Sequence, residues 1–165
     1  MTWYEKYILN AYNSLVKQGK IPDRYYLDPA KIYGEITDDA IYDLMPQEYL
    51  NPNNNTMYKV RKSCWDSKYR LTSVDEMKRF LAWDKSVRPP FTSEKDFQDC
   101  DDAAVMCWGR VKQWTRGLAF GLLLTNTPAH AKNVFIDVKK DVYEIEPQSN
   151  TLVKLYNKTV DQYFF

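Results

Sequence analysis

Asp99-Cys100-Asp101-Asp102-Ala103-Ala104-Val105-Met106-Cys107-Trp108, running on through Gly109-Arg110-Val111-Lys112-Gln113-Trp114, is the stretch whose reading decides the fold. Ala103, Ala104, Cys107, Trp108 and Val111 recur at the steps of a helix that buries one face. Asp99 is a good capping residue for its start, and Asp101 and Asp102 suit the positive end of the macrodipole. Gly117 suits its end. The spacing predicts a helix over 99–114 with Cys100 in the opening turn. Unpaired amides and the dipole there favour a thiolate. The flanking carboxylates oppose it, so a protonated histidine or a bound cation must offset them. Read alone, the same residues describe a capped helix carrying a small packed cysteine.

Upstream, Ser73 and Glu76 have the spacing of a capping box, and Met77, Phe80, Leu81 and Trp83 give a helix over 73–83 its buried face. Pro89-Pro90 breaks the chain between the two helices. Apolar residues at helical steps over 2–17 predict a helical lead-in to a segment 1–70 that includes a mixed stretch, an Asn-rich loop at 51–55 and a short strand over 57–61. Downstream, 118–125 is an apolar run of strand length, and Asn126-Thr127-Pro128 turns the chain. Residues 131–138 and 142–146 read as a hairpin around Lys139-Lys140, and 152–165 suits a closing strand or helix. The order predicts an α+β fold: a helical N-terminal part, with the Cys-bearing helix packed on a small antiparallel sheet. The 165 residues fit one domain, with its core over 73–150.

Composition narrows the function classes. Hydrophobic residues at 44% and charged residues at 27% describe a globular chain rather than a disordered one. A net charge of +1 argues against a broad nucleic-acid footprint, so no nucleic acid is expected as partner. Aromatic residues at 15% supply core, or a binding groove where they are exposed. Cys64, Cys100 and Cys107 are too few for a disulfide framework, and Cys100 and Cys107 stand about two helical turns apart, too far to bridge. No apolar run approaches the roughly 20 residues of a membrane helix, and no secretory leader is visible. The expected compartment is a reducing cytoplasm, with no membrane partner.

Two further residues give Cys100 a chemical context. His130 is the sole histidine, placed at the mouth of a predicted strand, and imidazole is the natural base for a thiol near neutral pH. Glu146, at the far end of the predicted hairpin, is the best candidate to orient it, with Asn133, Asp137, Glu144 and Gln148 as fallbacks. Gln98 and the Cys100 N–H are candidate oxyanion donors.

Asp99-Cys100-Asp101-Asp102-Ala103, then His130-Ala131-Lys132-Asn133-Val134-Phe135-Ile136-Asp137, then Ile145-Glu146-Pro147-Gln148 together resemble the papain-like cysteine-protease domain of the Marasmius oreades agglutinin type, which has stand-alone bacterial and phage relatives. The likeness covers 73–150. Transglutaminase-like cysteine proteinases share the acid-flanked cysteine and are the nearest competitor. The resemblance implies a papain-like fold and a thiol hydrolase of the protease or amidase kind. Cys100 would be its nucleophile, His130 its base and Glu146 the orienting carboxylate, acting through a thioester on a protein or peptide substrate. No cofactor is implied for the chemistry itself. A calcium site is implied, for which Asp99, Asp101 and Asp102 offer hard oxygen ligands, although the same acids suit a helix start. Ala103-Ala104 and Lys132 depart from the family pattern, where bulky aromatics are common, and this bears on pocket shape. The competing readings are an inactive papain-like binding protein that inhibits or sequesters a partner, and a metal-binding structural module.

Overall fold

The structure, a computed structural model, describes residues 27, 29–51, 53–84, 99–126, 129–155, 160 and 162–165. The helix expected over 2–17, the Pro89-Pro90 break and Gln98 lie outside the described residues.

A 3-10 turn, Pro29–Lys31, leads into strand β1 (Gly34–Thr37) and helix α1 (Asp38–Leu44). Thr37 caps that helix by accepting from the Ala40 N–H. Strands β2 (Glu48–Asn51) and β3 (Thr56–Lys59) form a hairpin, followed by β4 (Arg61–Ser63) and β5 (Lys68–Leu71). Helix α2 (Val74–Trp83) starts at Ser73, whose hydroxyl accepts from the Glu76 N–H at 3.3 Å. Helix α3 (Cys100–Trp114) starts at Asp99 and ends at Thr115, with Gly117 at φ 69 just beyond. Strands β6 (Phe120–Asn126), β7 (Ala129–Ile136), β8 (Val142–Glu146), β9 (Thr151–Lys154) and β10 (Gln162–Phe164) complete the described chain.

The architecture is α+β. Its main sheet has six strands in the order β4-β10-β6-β7-β8-β9. All its neighbours are antiparallel except β10, which runs parallel to β4. Two small two-stranded sheets, β1-β5 and β2-β3, lie outside it. Here the expectation of a helical segment over 1–70 needs correcting. Residues 34–71 hold five strands and one short helix. The reason is visible in β5, where Lys68 and Arg70 are exposed while Tyr69 and Leu71 are buried, the period-two pattern of a strand with one covered face.

The main sheet is covered on both faces, as alternation along β7 shows. Phe135 joins Phe120, Ile145, the α2 residues Met77, Phe80 and Leu81, and the α3 residues Cys107, Val111 and Trp114. Phe80 stacks on Trp114 with centroids 4.6 Å apart. Val134 and Ile136 point the other way, joining Ile36, Ile41, Tyr69, Leu71, Leu123, Tyr163 and Phe165. A strand buried on both sides loses the apolar-polar alternation, which is why 134–136 reads as one apolar run.

The C-terminal strand seals the second face. Phe165 is buried, its N–H donates to the Ser63 carbonyl, and its own carbonyl accepts from the Trp65 N–H. Gly121 of β6 permits that closure. A Cβ there would stand 1.9 Å from the Phe164 carbonyl oxygen and 3.2 Å from the Phe165 Cα. Backbone on this scale cannot be displaced cheaply. Gly121→Ala is therefore expected to lower stability by about 1–3 kcal/mol in urea unfolding, with loss of amide protection in β10. A variant as stable as the parent would contradict this close approach.

Candidate functional site

Helix α3 and strands β7 and β8 bring the three chemistry-bearing residues to one end of the central strands of the main sheet. Asp99 has extended backbone and its Oδ1 accepts from the Asp101 N–H at 3.3 Å, so Cys100 is the first helical residue, as the sequence implies. The thiol is partly exposed. Its sulfur accepts a hydrogen bond from the Ala131 N–H at 3.4 Å. Pairing of β7 with β8 runs from Ile136 to Asn133, so the start of β7 projects past its partner and meets the helix N-terminus.

His130 precedes Ala131 on this projecting end. Its Nε2 lies 2.6 Å from Glu146 Oε2, and the two side chains are 28% and 24% exposed, so the pair is sheltered but open to solvent. A carboxylate can only accept, so the imidazole hydrogen sits on Nε2, leaving Nδ1 without a described partner. Glu146 Oε1 accepts from the Gln148 N–H at 3.3 Å, so both carboxylate oxygens are engaged and the group is held in place. Next along the same face, Lys132 and Glu144 form a second cross-strand pair at 3.2 Å. Both pairs are skewed in the same direction across the β7–β8 register, so Lys132 is drawn to Glu144 and Glu146 is left to His130.

The remaining candidates divide. Asn133 is fully buried, and its Nδ2 donates to the Ala104 carbonyl at 2.9 Å and the Gly121 carbonyl at 3.2 Å. It ties α3 to the sheet and does not orient the imidazole. Gln148 contributes its backbone N–H to Glu146. Asp137 is buried and organises the β7–β8 turn by accepting from the Lys139 and Asp141 amides. Among the described residues, no three His, Cys, Asp or Glu side chains are grouped to hold a metal ion. Asp101 and Asp102 are solvent-exposed on the first turn of α3. The Ala131 N–H was not legible in the sequence, because every residue but proline carries one.

The other two thiols are structural. Cys107 is fully buried in the α2–α3 core, and burial pushes its thiol well above the ordinary range, with the Asp84 charge adding to the effect. Cys64 is half-buried, and its thiol is raised by burial despite hydrogen bonds from Tyr42 and Tyr69 that favour the anion. All three cysteines are free.

No family model matches the chain. No curated protein matches it either. Among solved structures, the chain resembles one titled as a PSL1a–E64 complex, at 22% identity and TM-score 0.61 over 79% of this chain and 50% of that one. It also resembles the Polyporus squamosus lectin bound to the human-type influenza-binding epitope Neu5Aca2-6Galb1-4GlcNAc, at 22% identity and TM-score 0.57 over 79% of this chain and 49% of that one. The chain thus spans about half the length of these structures, and the likeness is one of fold. This finding corrects the expectation of a thiol hydrolase acting on a peptide substrate. The titles of these two structures name an E64 complex and a glycan-bound lectin and no hydrolase, and at 22% identity the likeness is one of fold alone.

Burial closes off Cys107, and the raised thiol of Cys64 slows its reaction. Iodoacetamide at neutral pH is expected to modify Cys100 first, Cys64 more slowly, and Cys107 only on unfolding, as read by peptide mass spectrometry. Modification of Cys107 ahead of Cys100 would contradict the packing of α3.

Proposed function

We propose that this chain is a binding protein on a papain-like scaffold, taking a polar ligand at the end of the sheet where Cys100, His130 and Glu146 meet. The observation that carries the reading is the 2.6 Å His130–Glu146 pair beside the thiol held by Ala131. These groups come from a helix start and two strands, so the ligand would meet a surface fixed by rigid elements. Partial exposure leaves each able to exchange hydrogen bonds with a ligand. Imidazole Nδ1 can accept, and the carboxylate can take a further hydroxyl or amide hydrogen. The fold likeness supports this, because one similar structure holds E64 and the other a sialylated trisaccharide. We read the scaffold as akin to the agglutinin-type domain, used here for recognition. The acids Asp99, Asp101 and Asp102 complement the helix dipole in this reading, and a divalent cation would be a ligand to test beside the organic ones.

Calorimetric titration with E64 and, separately, with Neu5Aca2-6Galb1-4GlcNAc tests the proposal. One of the two is expected to bind with a stoichiometry near one. His130→Ala and Glu146→Gln should each weaken it by about tenfold or more, the effect of losing a charge-assisted hydrogen bond. Absence of binding by both, or binding that neither substitution changes, would overturn the assignment.

A further inference from the structure

Helix α3 has an outer face as well as an inner one. Ala103, Ala104, Cys107 and Val111 are buried on the inner side. The opposite stripe carries Asp102, Val105, Gly109 and Gln113, at steps of three and four. Val105 is 51% exposed and Met106 beside it 41%. Trp65, 67% exposed, lies edge-on to Trp108 with centroids 5.3 Å apart and widens this apolar face.

Gly109 stands at the middle of the stripe. Glycine inside a helix is unfavourable, because it gives up the most backbone freedom on folding. Nothing in the fold calls for it here: a Cβ on Gly109 would meet no atom of another element within 4 Å. Gly121, by contrast, admits the Phe164 carbonyl. A glycine facing outward between exposed apolar residues suits the close approach of a second backbone.

The two ends of the stripe carry opposite charge. Asp102 is exposed in the first turn, and Arg116 is exposed just past the last. They lie equally far from Gly109 along the chain. An antiparallel copy of α3 crossing at Gly109 therefore sets Asp102 opposite Arg116 of the second copy, twice by symmetry. It also lays the positive start of each helix beside the negative end of the other. Met106 falls opposite Lys112, whose ammonium is already held over the Trp108 and Tyr69 rings, so no like charges face each other along the stripe.

We infer that two copies of this chain associate through α3, antiparallel across a two-fold axis at Gly109, with Asp102 of each meeting Arg116 of the other. A face one helix wide is small for a specific interface, under about 1,200 Å² in total, so the association is weak and in the micromolar range. The dimer brings a guanidinium beside the acids that follow Cys100 in the other copy, and so offsets the charge that opposes a thiolate there. The inference does not depend on a ligand at Cys100.

Sedimentation velocity of the full chain between about 1 and 200 µM tests it. The sedimentation coefficient is expected to rise with concentration from that of a monomer towards that of a dimer. Gly109→Ala should raise the urea midpoint of the dilute chain yet weaken association by about tenfold, because its methyl is free in one copy and wedged between two. Asp102→Arg should weaken association by a similar factor. Adding Arg116→Asp to it should restore association, since the exchanged charges meet again in both pairs. A chain that stays monomeric throughout would overturn the inference. So would association that Gly109→Ala or Asp102→Arg leaves unchanged, or a double variant that associates no better than Asp102→Arg alone.

Discussion

The side-chain amide of Asn133 joins three elements at once. From its place in β7 it donates to the Ala104 carbonyl of α3 and to the Gly121 carbonyl of β6. Both bonds are buried, where a hydrogen bond is not contested by water. Ala104 lies one helical turn after Cys100, so the same contact fixes how far the start of α3 stands from the start of β7. Slide the helix by one residue and the thiol leaves the Ala131 N–H. The Oδ1 of Asn133 has no partner, which costs on the order of 1–3 kcal/mol and offsets much of what the two donated bonds contribute. The residue therefore secures registry between helix and sheet more than it adds stability, as buried polar groups do in some other folds.

Registry matters because the candidate site is assembled from parts that share little sequence. Cys100 comes from a helix start, His130 from the projecting end of β7 and Glu146 from the end of β8. The β7–β8 hairpin puts His130 and Glu146 on one face, beside the Lys132–Glu144 pair. A one-residue slip would send both to the opposite face and dissolve the site. Asp137 guards against that slip by holding the turn with its carboxylate. At the other end of the chain, Gly121 lets the last strand close over the sheet, so the second core cluster is sealed by Tyr163 and Phe165.

How far the sequence disclosed this varies with the physics involved. Both helices with strong caps, at Ser73 and Asp99, were legible because a cap is a local bond between near neighbours. The β7–β8 hairpin was legible because its turn separates two apolar runs. Residues 34–71 lie largely inside the helical lead-in expected over 1–70, and only the short strand near 57–61 is legible there, as β3 (Thr56–Lys59). Their strands are short, they pair in small sheets, and the partner of β1 is β5, more than thirty residues on, a contact no local pattern reveals. The approach of His130 to Glu146 was foreseeable from alternation on a hairpin, whereas the burial of Asn133 was not. An asparagine beside a histidine suggests a functional partner, and the two carbonyls that claim it lie far away in sequence. The step from these residues to hydrolysis was the weakest. A set of side chains in the order of a triad specifies an arrangement and not an activity, and the two similar structures are titled as an E64 complex and as a lectin bound to a glycan epitope.

The placing of α3 on the sheet depends on Asn133 being locked, and solvent exchange of its side-chain amide reports that directly. In ¹⁵N spectra of the native chain, the two Asn133 Nδ2 hydrogens are predicted to exchange with water far more slowly than those of the exposed Asn54 side chain, which serves as an internal reference. Exchange of Asn133 as fast as Asn54 would mean that the helix is not pinned to the sheet, and that the meeting of Cys100, His130 and Glu146 has another cause or does not persist in solution.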